Sequence, residues 1–269
     1  MRVSAAAVVA IAVTLLACDP SPEPAPGTAA ASLRAVVTHP RATLTTLDAD
    51  TLADSARVTR LMPAPDGGAV AYVLDDPARA RHGVLAVVTP TADRPRMVWP
   101  DEVRDAWWTT PQTLAFTTQA GARATVDVRA DSFDVAPVLD SLPMSPPAAA
   151  APPGDDTPAR ARVTAYVDSV YVQPGGQPTS ADLRYQVRHV LVSPDHTLAA
   201  VYVAGSDAAG HTVNPAWYVV DPRTGAVFPM DQVVGPVAEL PQAAGAWTET
   251  GQFLYAKGLR LWEAAFTMR

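Results

Sequence analysis

The chain has 269 residues, of which 48% are hydrophobic and 17% are charged, and its formal net charge at neutral pH is −7. Its basic residues form no run along the sequence, so nucleic acid and anionic lipid headgroups are disfavoured as partners, since both attract clusters of positive charge. Cys18 is the only cysteine, which excludes an internal disulfide framework and a thiolate metal site.

The first predicted element is a signal peptide at residues 1–17. Arg2 provides a short positive region, and residues 5–16 form an apolar run of about a dozen residues, too short to span a bilayer. The run ends in Leu15-Leu16-Ala17-Cys18, which resembles the lipobox of bacterial lipoproteins. The resemblance implies cleavage before Cys18 and lipidation of its thiol. The alternative is an ordinary secretory signal followed by an incidental cysteine.

The residues after Cys18 predict how the protein is held. Asp19 resembles the signal that retains lipoproteins of Gram-negative bacteria in the inner membrane. We therefore expect an exported lipoprotein that faces the periplasm, with the inner membrane favoured. Residues 18–32 are rich in proline and alanine, bury too little apolar surface to fold, and are predicted to form a tether.

Residues 33–269 are predicted to form one all-β domain, because short runs alternate apolar and polar residues between turn signals. Residues 143–158 are rich in proline and alanine and are predicted to form a surface loop between strands, or else to separate two small domains. A short helix is expected only within residues 48–60, and a partial turn only at 264–266. The clearest strand predictions are residues 69–74, 84–88, 113–116, 163–167, 198–203 and 217–220.

One turn-and-strand pattern recurs near Ala64, Trp107, Ser193 and Trp247. Residues 64–73 (APDGGAVAYV) align with residues 193–202 (SPDHTLAAVY), and two weaker copies follow tryptophans. His196 takes the place of Gly67 and is predicted to be a turn residue. The pattern resembles the TolB-type, WD-like β-propeller repeat, in which the turn opens each blade and the tryptophan packs between neighbouring blades.

This resemblance implies a small or incomplete β-propeller of about four to five blades, since a repeat of this kind takes about 40–45 residues. A twisted β-sandwich is the alternative. The starts at 64, 107, 193 and 247 are 43, 86 and 54 residues apart, and the double gap predicts an unmarked blade within residues 131–187. If the ring closes, residues 35–47 are expected to add the outer strand to the blade that begins at Trp247.

The sequence contains no recognisable catalytic arrangement. None of the five histidines lies at ligand spacing from another, and no serine lies in a Gly-x-Ser-x-Gly turn. We therefore predict no enzymatic activity, no metal site and no cofactor. An enzyme would require the fold to bring histidines and carboxylates together in a cleft. The histidines are His39, His82, His189, His196 and His211.

Tryptophans are the candidate interface residues, because they often anchor protein contacts. Trp107 and Trp108 are adjacent on a predicted strand and must point to opposite faces, and Trp217 lies on another strand. The alternative is that they pack between blades or under loops. The favoured function is a lipid-anchored, non-enzymatic protein-binding or scaffolding module, an accessory subunit on the periplasmic face of a membrane or envelope complex. The alternative function is that of a periplasmic lipoprotein that binds a glycan or peptide in a pocket lined by tryptophan and carboxylate side chains.

Overall fold

A computed structural model describes residues 33–48, 50–89, 95–129, 136–137, 157–173, 177–178, 184–206, 212–230 and 240–268. The predicted signal peptide, Cys18, Asp19, the tether and residues 143–156 of the predicted loop lie outside the described residues.

Twenty strands and one α-helix make up the described chain. The first eleven strands are β1 (Leu33–Thr43), β2 (Thr46–Leu47), β3 (Asp50–Thr51), β4 (Arg57–Pro63), β5 (Val70–Asp76), β6 (Arg81–Val88), β7 (Arg96–Trp99), β8 (Val103–Trp108), β9 (Thr113–Thr118), β10 (Arg123–Asp127) and β11 (Ala136–Pro137). The helix α1 (Thr157–Tyr171) follows, and then β12 (Val172–Gln173), β13 (Gln177–Pro178), β14 (Arg184–Val192), β15 (Ala199–Ser206), β16 (Thr212–Val220), β17 (Val227–Pro229), β18 (Pro241–Trp247), β19 (Phe253–Lys257) and β20 (Arg260–Met268).

Sixteen of the described strands form four antiparallel sheets of four strands each, and the other four form the two-stranded sheets β2-β3 and β12-β13. Blade 1 has the order β4-β5-β6-β7, blade 2 the order β8-β9-β10-β11, and blade 3 the order β14-β15-β16-β17. Blade 4 has the order β18-β19-β20-β1, so its outer strand comes from the other end of the domain. Meandering four-stranded sheets closed in this way are the architecture of a β-propeller. The prediction of a small all-β propeller is confirmed.

The closing strand is the one expected from the sequence. Leu33 pairs with Met268 and Thr43 pairs with Arg260 across the β1–β20 ladder. This pairing joins the first and last described segments in one sheet, which leaves no seam of unpaired strand edges between them. Blade 4 also touches both of its neighbours, since its innermost strand β18 contacts β4 of blade 1 and β14 of blade 3.

Apolar side chains fill the space between the faces of neighbouring blades. Tyr72 and Leu74 of blade 1 pack against Leu254 of blade 4, and the alternating residues Ala71 and Val73 face blade 2 instead. Because alternate residues of a strand point to opposite faces of the sheet, one sheet contributes to two separate hydrophobic cores. Trp217 of blade 3 packs with blade 4 in the same manner, 4.9 Å from the ring of Phe253.

Helix α1 corrects two of the predictions. Residues 163–167 were expected to form a strand and lie in α1, which also takes in residues 157–158 of the predicted loop. Valine and threonine at these positions favour a strand, and an apolar run this short does not distinguish the two structures. Pro158 is tolerated in the first turn of a helix, and Ala159 and Val163, four residues apart, are both buried on one helix face. Val163 packs against the face of blade 3 that points away from blade 4.

Two further expectations are wrong. Residues 48–60 contain no helix among their described members, since this stretch holds β3 and the beginning of β4. Its apolar residues are buried against blades 1 and 4, which explains their spacing without a helix. Residues 264–266 continue strand β20 rather than form a turn. Within 131–187, the described residues form β11, α1, β12, β13 and the beginning of β14, and the rest of the range predicted to hold an unmarked blade lies outside the described residues.

Candidate functional site

The four copies of the repeat lie at equivalent places, each between the first and second strand of its blade. In blade 1 the Ala64 amide donates to the Ala69 carbonyl at 2.8 Å, and in blade 3 the Ser193 amide donates to the Leu198 carbonyl at 2.8 Å. Gly67 has φ +69° and His196 has φ +56°, so both adopt the left-handed conformation of this turn. The prediction that His196 is a turn residue is confirmed. We refer to this end of the blades as the turn end.

Acidic side chains brace these turns. The Asp66 carboxylate accepts the Gly68 amide at 2.8 Å, and the Asp195 carboxylate accepts the Thr197 amide at 3.1 Å. The Ser193 hydroxyl donates to Asp195 at 2.6 Å, and this bond is the main reason why the pKa of Asp195 lies below its usual value. These carboxylates are occupied in turn hydrogen bonds, so we assign them a structural role.

Two tryptophans link neighbouring blades through equivalent hydrogen bonds. Trp108 of blade 2 donates from Nε1 to the Met62 carbonyl of blade 1 at 2.9 Å. Trp247 of blade 4 donates from Nε1 to the Leu191 carbonyl of blade 3 at 2.8 Å. Each acceptor precedes the repeat turn of its blade by two residues. This is the interblade position that the repeat resemblance implies for tryptophan.

The structure does not bring Trp107, Trp108 and Trp217 together on an exposed surface. Trp217 is 0% exposed and donates to the Gln242 carbonyl at 2.9 Å. Trp107 is 6% exposed, and its Nε1 has no hydrogen-bond partner among the described residues. Trp108 is half-buried between blades 1 and 2. The exposed polar residues are therefore the candidates for the functional surface.

Each innermost strand contains a β-bulge at an equivalent place. The pairing shifts between Val58 and Arg60, between Val103 and Asp105, between Val187 and His189, and between Pro241 and Gly245. A bulge inserts an extra residue and redirects side chains, and bulges are common beside functional sites. The repeat turns begin at Ala64, Thr109, Ser193 and Thr248, whose amides close them. The fifth residue before each of these positions falls within the bulge, and all four such residues are exposed: Thr59, Arg104, Arg188 and Ala243.

We define the inner ring as these four residues together with the adjacent Arg60, Asp105 and His189. These residues lie at corresponding levels of the innermost strands, which are the strands nearest the axis of a propeller. Arg60 Nη1 lies 3.8 Å from Asp105 Oδ1, and Arg104 Nε lies 3.9 Å from Asp105 Oδ2. The inner ring thus contains three arginines and one carboxylate, and Asp75 and Glu102 line the same groove as Arg60 and Arg104.

Helix α1 supplies one further guanidinium group beside Arg188 of the inner ring. Arg188 donates to the Ser206 hydroxyl at 3.1 Å. Arg160 of α1 donates to the Val187 carbonyl at 3.2 Å, next to Arg188 in the chain. Helix α1 therefore contributes a basic side chain beside the innermost strand of blade 3.

A groove of about 660 Å³ extends from the inner ring between blades 1 and 2. It lies at the end of the blades opposite the turn end, since it is lined by residues near the end of β5 and the beginning of β6 and by the β7–β8 and β9–β10 connections. Gly83 fits here with φ +62°, and a Cβ at this position would lie 2.7 Å from Glu102 Cγ. The polar residues that line the groove are Thr59, Arg60, Asp75, His82, Glu102, Arg104 and Gln119.

The hydrogen bonds of the groove leave most of these side chains available. The Asp75 carboxylate accepts a hydrogen bond from the Gly83 backbone amide at 2.7 Å. The backbone amide of Gln119 donates to the backbone carbonyl of Glu102 at 3.1 Å, so their side chains are not used in this bond. Arg60, His82, Glu102 and Arg104 are exposed. Among the described residues, no group of three or more histidine, cysteine and acidic side chains is placed to hold a metal ion. The described part of the chain also contains no helix with the length and apolarity to cross a membrane.

The inner ring was missed in the sequence because its arginines belong to three strands that are distant along the chain. The absence of a basic run led us to expect no basic surface, whereas the fold places Arg60, Arg104 and Arg188 at corresponding bulges of three innermost strands. A signal did exist. In three of the four repeats, an arginine lies four or five residues before the turn.

No family model matches the sequence, and no curated protein matches it. Solved structures that align with it include the β-propeller domain of Cps50 (Swd1) from Myceliophteria thermophila, at 12% identity and a TM-score of 0.24, covering 74% of this chain and 50% of that one. The WD40 propeller domain of Doa1 aligns at 10% identity and a TM-score of 0.22, covering 79% of this chain and 51% of that one. A Bacteroides thetaiotaomicron protein of unknown function aligns at 12% identity and a TM-score of 0.32, covering 81% and 61%.

This chain therefore spans about half to three fifths of the length of those structures. Its assignment as a β-propeller rests on its own strand order and on the closure of blade 4 by β1.

Proposed function

We propose that the protein is a lipid-anchored, non-enzymatic module that binds another exported or membrane-bound protein through the groove and the inner ring. The observation that carries this proposal is the open, 660 Å³ groove with exposed arginine, histidine and glutamate side chains between blades 1 and 2. Arginine is enriched at protein interfaces, where its guanidinium group makes several directional hydrogen bonds. An accessory or scaffolding role on the periplasmic face of an envelope complex follows if the partner belongs to such a complex.

The position of the groove supports a tethered receptor. Strand β1 begins at Leu33, which pairs with Met268 at the turn end of blade 4. With Cys18 lipidated, residues 19–32 would lead from the membrane to this end of the propeller. A tether of this length spans at most about 40–50 Å. The groove lies at the opposite end of the blades from Leu33, so the residue at which the tether joins the domain does not obstruct it.

A second candidate function is the binding of a soluble peptide or glycan. The groove volume of about 660 Å³ lies within the range of small-ligand sites, and Asp75 and Glu102 provide carboxylates. The tryptophan expected in such a pocket is not among the described residues that line the groove. A peptide fits these charged walls better than a sugar, which usually stacks on an aromatic ring.

Affinity capture tests the proposed function. The full chain carries a carboxy-terminal tag, is extracted from native membranes with mild detergent, and its co-purifying proteins are identified by mass spectrometry. The double variant R60A/R104A and the control R129A are captured in parallel, because Arg129 is exposed at the turn end, where it pairs with Asp66.

We expect a stoichiometric envelope protein with the unaltered chain and with R129A, and its loss with R60A/R104A. Capture of no partner by the unaltered chain, or the same partner in equal amount with R60A/R104A, would contradict the proposal. In the first case, thermal-shift measurements with short peptides and oligosaccharides would test the second candidate.

A further inference from the structure

We infer that the turn end of blades 3 and 4 contacts the lipid bilayer to which the chain is anchored, through a patch of half-buried apolar side chains. This inference rests on the lipid anchor of the proposed function, and it adds a surface that the groove does not use. We define the apolar patch as five half-buried residues of blades 3 and 4: Leu198, Ala226, Phe228, Trp247 and Phe266.

The rings of the apolar patch join the two blades. The Phe266 ring lies 6.1 Å from that of Phe228 on blade 3 and 6.1 Å from that of Trp247 on blade 4. All five residues pack against the core between blades 3 and 4, and each keeps part of its surface exposed. Phe266 lies two residues beyond Ala264, the last residue of β20 that pairs with β19. The apolar patch therefore lies at the turn end.

The other blades show that the repeat turn does not require a large apolar residue at the position of Leu198. The Leu198 carbonyl accepts the amide that closes the turn of blade 3. The equivalent residues of the other blades are Ala69, Thr113 and Gln252. Ala69 is small and buried and the other two are polar, whereas Leu198 is large, apolar and half-buried. Apolar surface that the fold leaves partly uncovered indicates a contact outside the domain.

The tether meets the domain beside the apolar patch. Phe266 pairs with Ala35 across the β1–β20 ladder, and Leu33, the first residue of β1, lies two residues before Ala35. Two residues of a strand span about 7 Å. Residues 19–32 extend by at most about 40–50 Å, so lipidation of Cys18 would hold the patch near the bilayer at a high effective concentration. A weak contact between the patch and lipid is then sufficient to orient the domain.

The chemistry of the patch fits a bilayer with zwitterionic headgroups. Tryptophan and phenylalanine bury apolar surface at the boundary between headgroups and acyl chains. An anionic membrane would require an excess of positive charge, which the described residues at this end of the two blades do not provide. Their charged members are three carboxylates and three arginines: Asp195, Asp221, Glu249, Arg34, Arg162 and Arg223.

Contact of the apolar patch with the bilayer sets the orientation of the groove. The groove lies at the end of the blades opposite the turn end. A turn end that rests on the bilayer therefore directs the groove away from it, and a partner can reach the groove without displacing the domain from the membrane.

The experiment places a fluorescent probe at either end of the domain. The full lipidated chain, purified in mild detergent, is reconstituted into phosphatidylcholine vesicles that contain a lipid with a quencher in its headgroup region. E249C and Q119C each introduce one thiol for the probe, because Cys18, the only cysteine of the chain, is blocked when it is lipidated. Glu249 is exposed at the turn end, two residues after Trp247, and Gln119 is exposed in the groove.

Glutamine substitutions test the apolar patch itself. L198Q and F228Q are each combined with the probe at position 249. L259Q is the matched control, because Leu259 is also a half-buried residue of blade 4 but lies in the β19–β20 connection, at the opposite end. Unchanged melting temperatures verify that each variant is folded.

We expect the quencher to lower the fluorescence of the probe at position 249 and to leave the probe at position 119 unchanged. L198Q and F228Q should weaken the contact equilibrium, read from the quenched fraction, by about threefold to tenfold, since each removes apolar surface from lipid. L259Q and added phosphatidylglycerol should change it by less than about twofold. Equal quenching at both positions, no quenching at position 249, insensitivity to both patch substitutions, or tighter contact with phosphatidylglycerol would overturn the inference.

Flotation of the vesicles and the capture experiment separate this inference from the proposed function. A chain that does not float with the vesicles lacks the anchor, which contradicts the proposed function and the inference together. A floating chain whose probe at position 249 is not quenched overturns the inference alone. Quenching at position 249, with no partner captured from native membranes, would support the lipid contact and contradict the protein-binding function.

Discussion

The adjacent residues Trp107 and Trp108 offer a matched test of the hydrogen bonds between blades. Each is changed to phenylalanine, so the two variants lose the same volume and the same indole N–H. In W108F the Met62 carbonyl loses its donor, whereas Trp107 has no acceptor for Nε1 among the described residues. The two substitutions therefore differ chiefly in one hydrogen bond between blades 1 and 2.

The expected magnitudes follow from this difference. Loss of a net hydrogen bond costs about 0.5–1.5 kcal/mol, and a carbonyl left without a partner costs about 1–3 kcal/mol when it is buried. Removal of an unpaired buried N–H offsets much of the packing loss in W107F. We therefore expect W108F to lower the free energy of unfolding by about 2 kcal/mol more than W107F does. For a domain of this size, that difference corresponds to a melting temperature lower by about 4–8 °C.

Urea denaturation followed by circular dichroism measures both variants without relying on tryptophan fluorescence. The midpoint should fall further for W108F, with an unchanged dependence of the unfolding free energy on urea concentration. W247F should behave like W108F, since Trp247 makes the equivalent bond to Leu191. Equal destabilisation by W107F and W108F would refute the assignment of this hydrogen bond as a link between blades.

The remaining predictions concern the anchor, the glycines and acid stability. C18A should abolish incorporation of labelled fatty acid and leave the chain in the fraction that carbonate extracts from membranes; retained label would contradict lipidation at Cys18. G83A should lower the free energy of unfolding by about 2 kcal/mol or more, because a Cβ would lie 2.7 Å from Glu102 Cγ. G121A, with φ +85° and open space around it, should lower the free energy of unfolding by about 1 kcal/mol. Equal losses of stability in thermal melts would count against the close packing at Gly83. The pKa of Asp195 lies below its ordinary value of 3.8, so its stabilising effect is complete above that pH and is lost as the pH falls below it. D195N should therefore flatten the acid limb of a plot of melting temperature against pH, and an unchanged limb would show that the Ser193 bond does not matter to stability.

Much of the fold could be predicted from local patterns. Alternation of apolar and polar residues identified strands such as β5, β6 and β15, because each sheet buries both faces against neighbouring blades. The turn at Pro65-Asp66-Gly67 and its copy at Pro194-Asp195-His196 identified the repeat, since their conformation depends on a few adjacent residues. The expectation that the first strand completes the last blade followed from the repeat, and the β1–β20 ladder confirms it.

The parts that could not be predicted depend on distant contacts. Residues 163–167 have the composition of a strand, and only the burial of Ala159 and Val163 on one face shows why they form a helix against blade 3. The inner ring is recognised only when the bulges of the innermost strands are compared, because the bulge positions cannot be read from the sequence. Trp217 was a candidate interface residue because tryptophans often anchor protein contacts, yet it is buried in the core between blades 3 and 4.

Site-specific photo-crosslinking in native membranes tests the central claim most directly. A photoreactive amino acid replaces Gln119 in the groove or Gln112 at the turn end, two exposed glutamines at opposite ends of blade 2. If the groove binds a partner protein, position 119 should form a discrete crosslink to one envelope protein, and position 112 should form none. A crosslink to the same protein from position 112 and none from position 119 would contradict a binding site in the groove, and no crosslink from either position would contradict the protein-binding function itself.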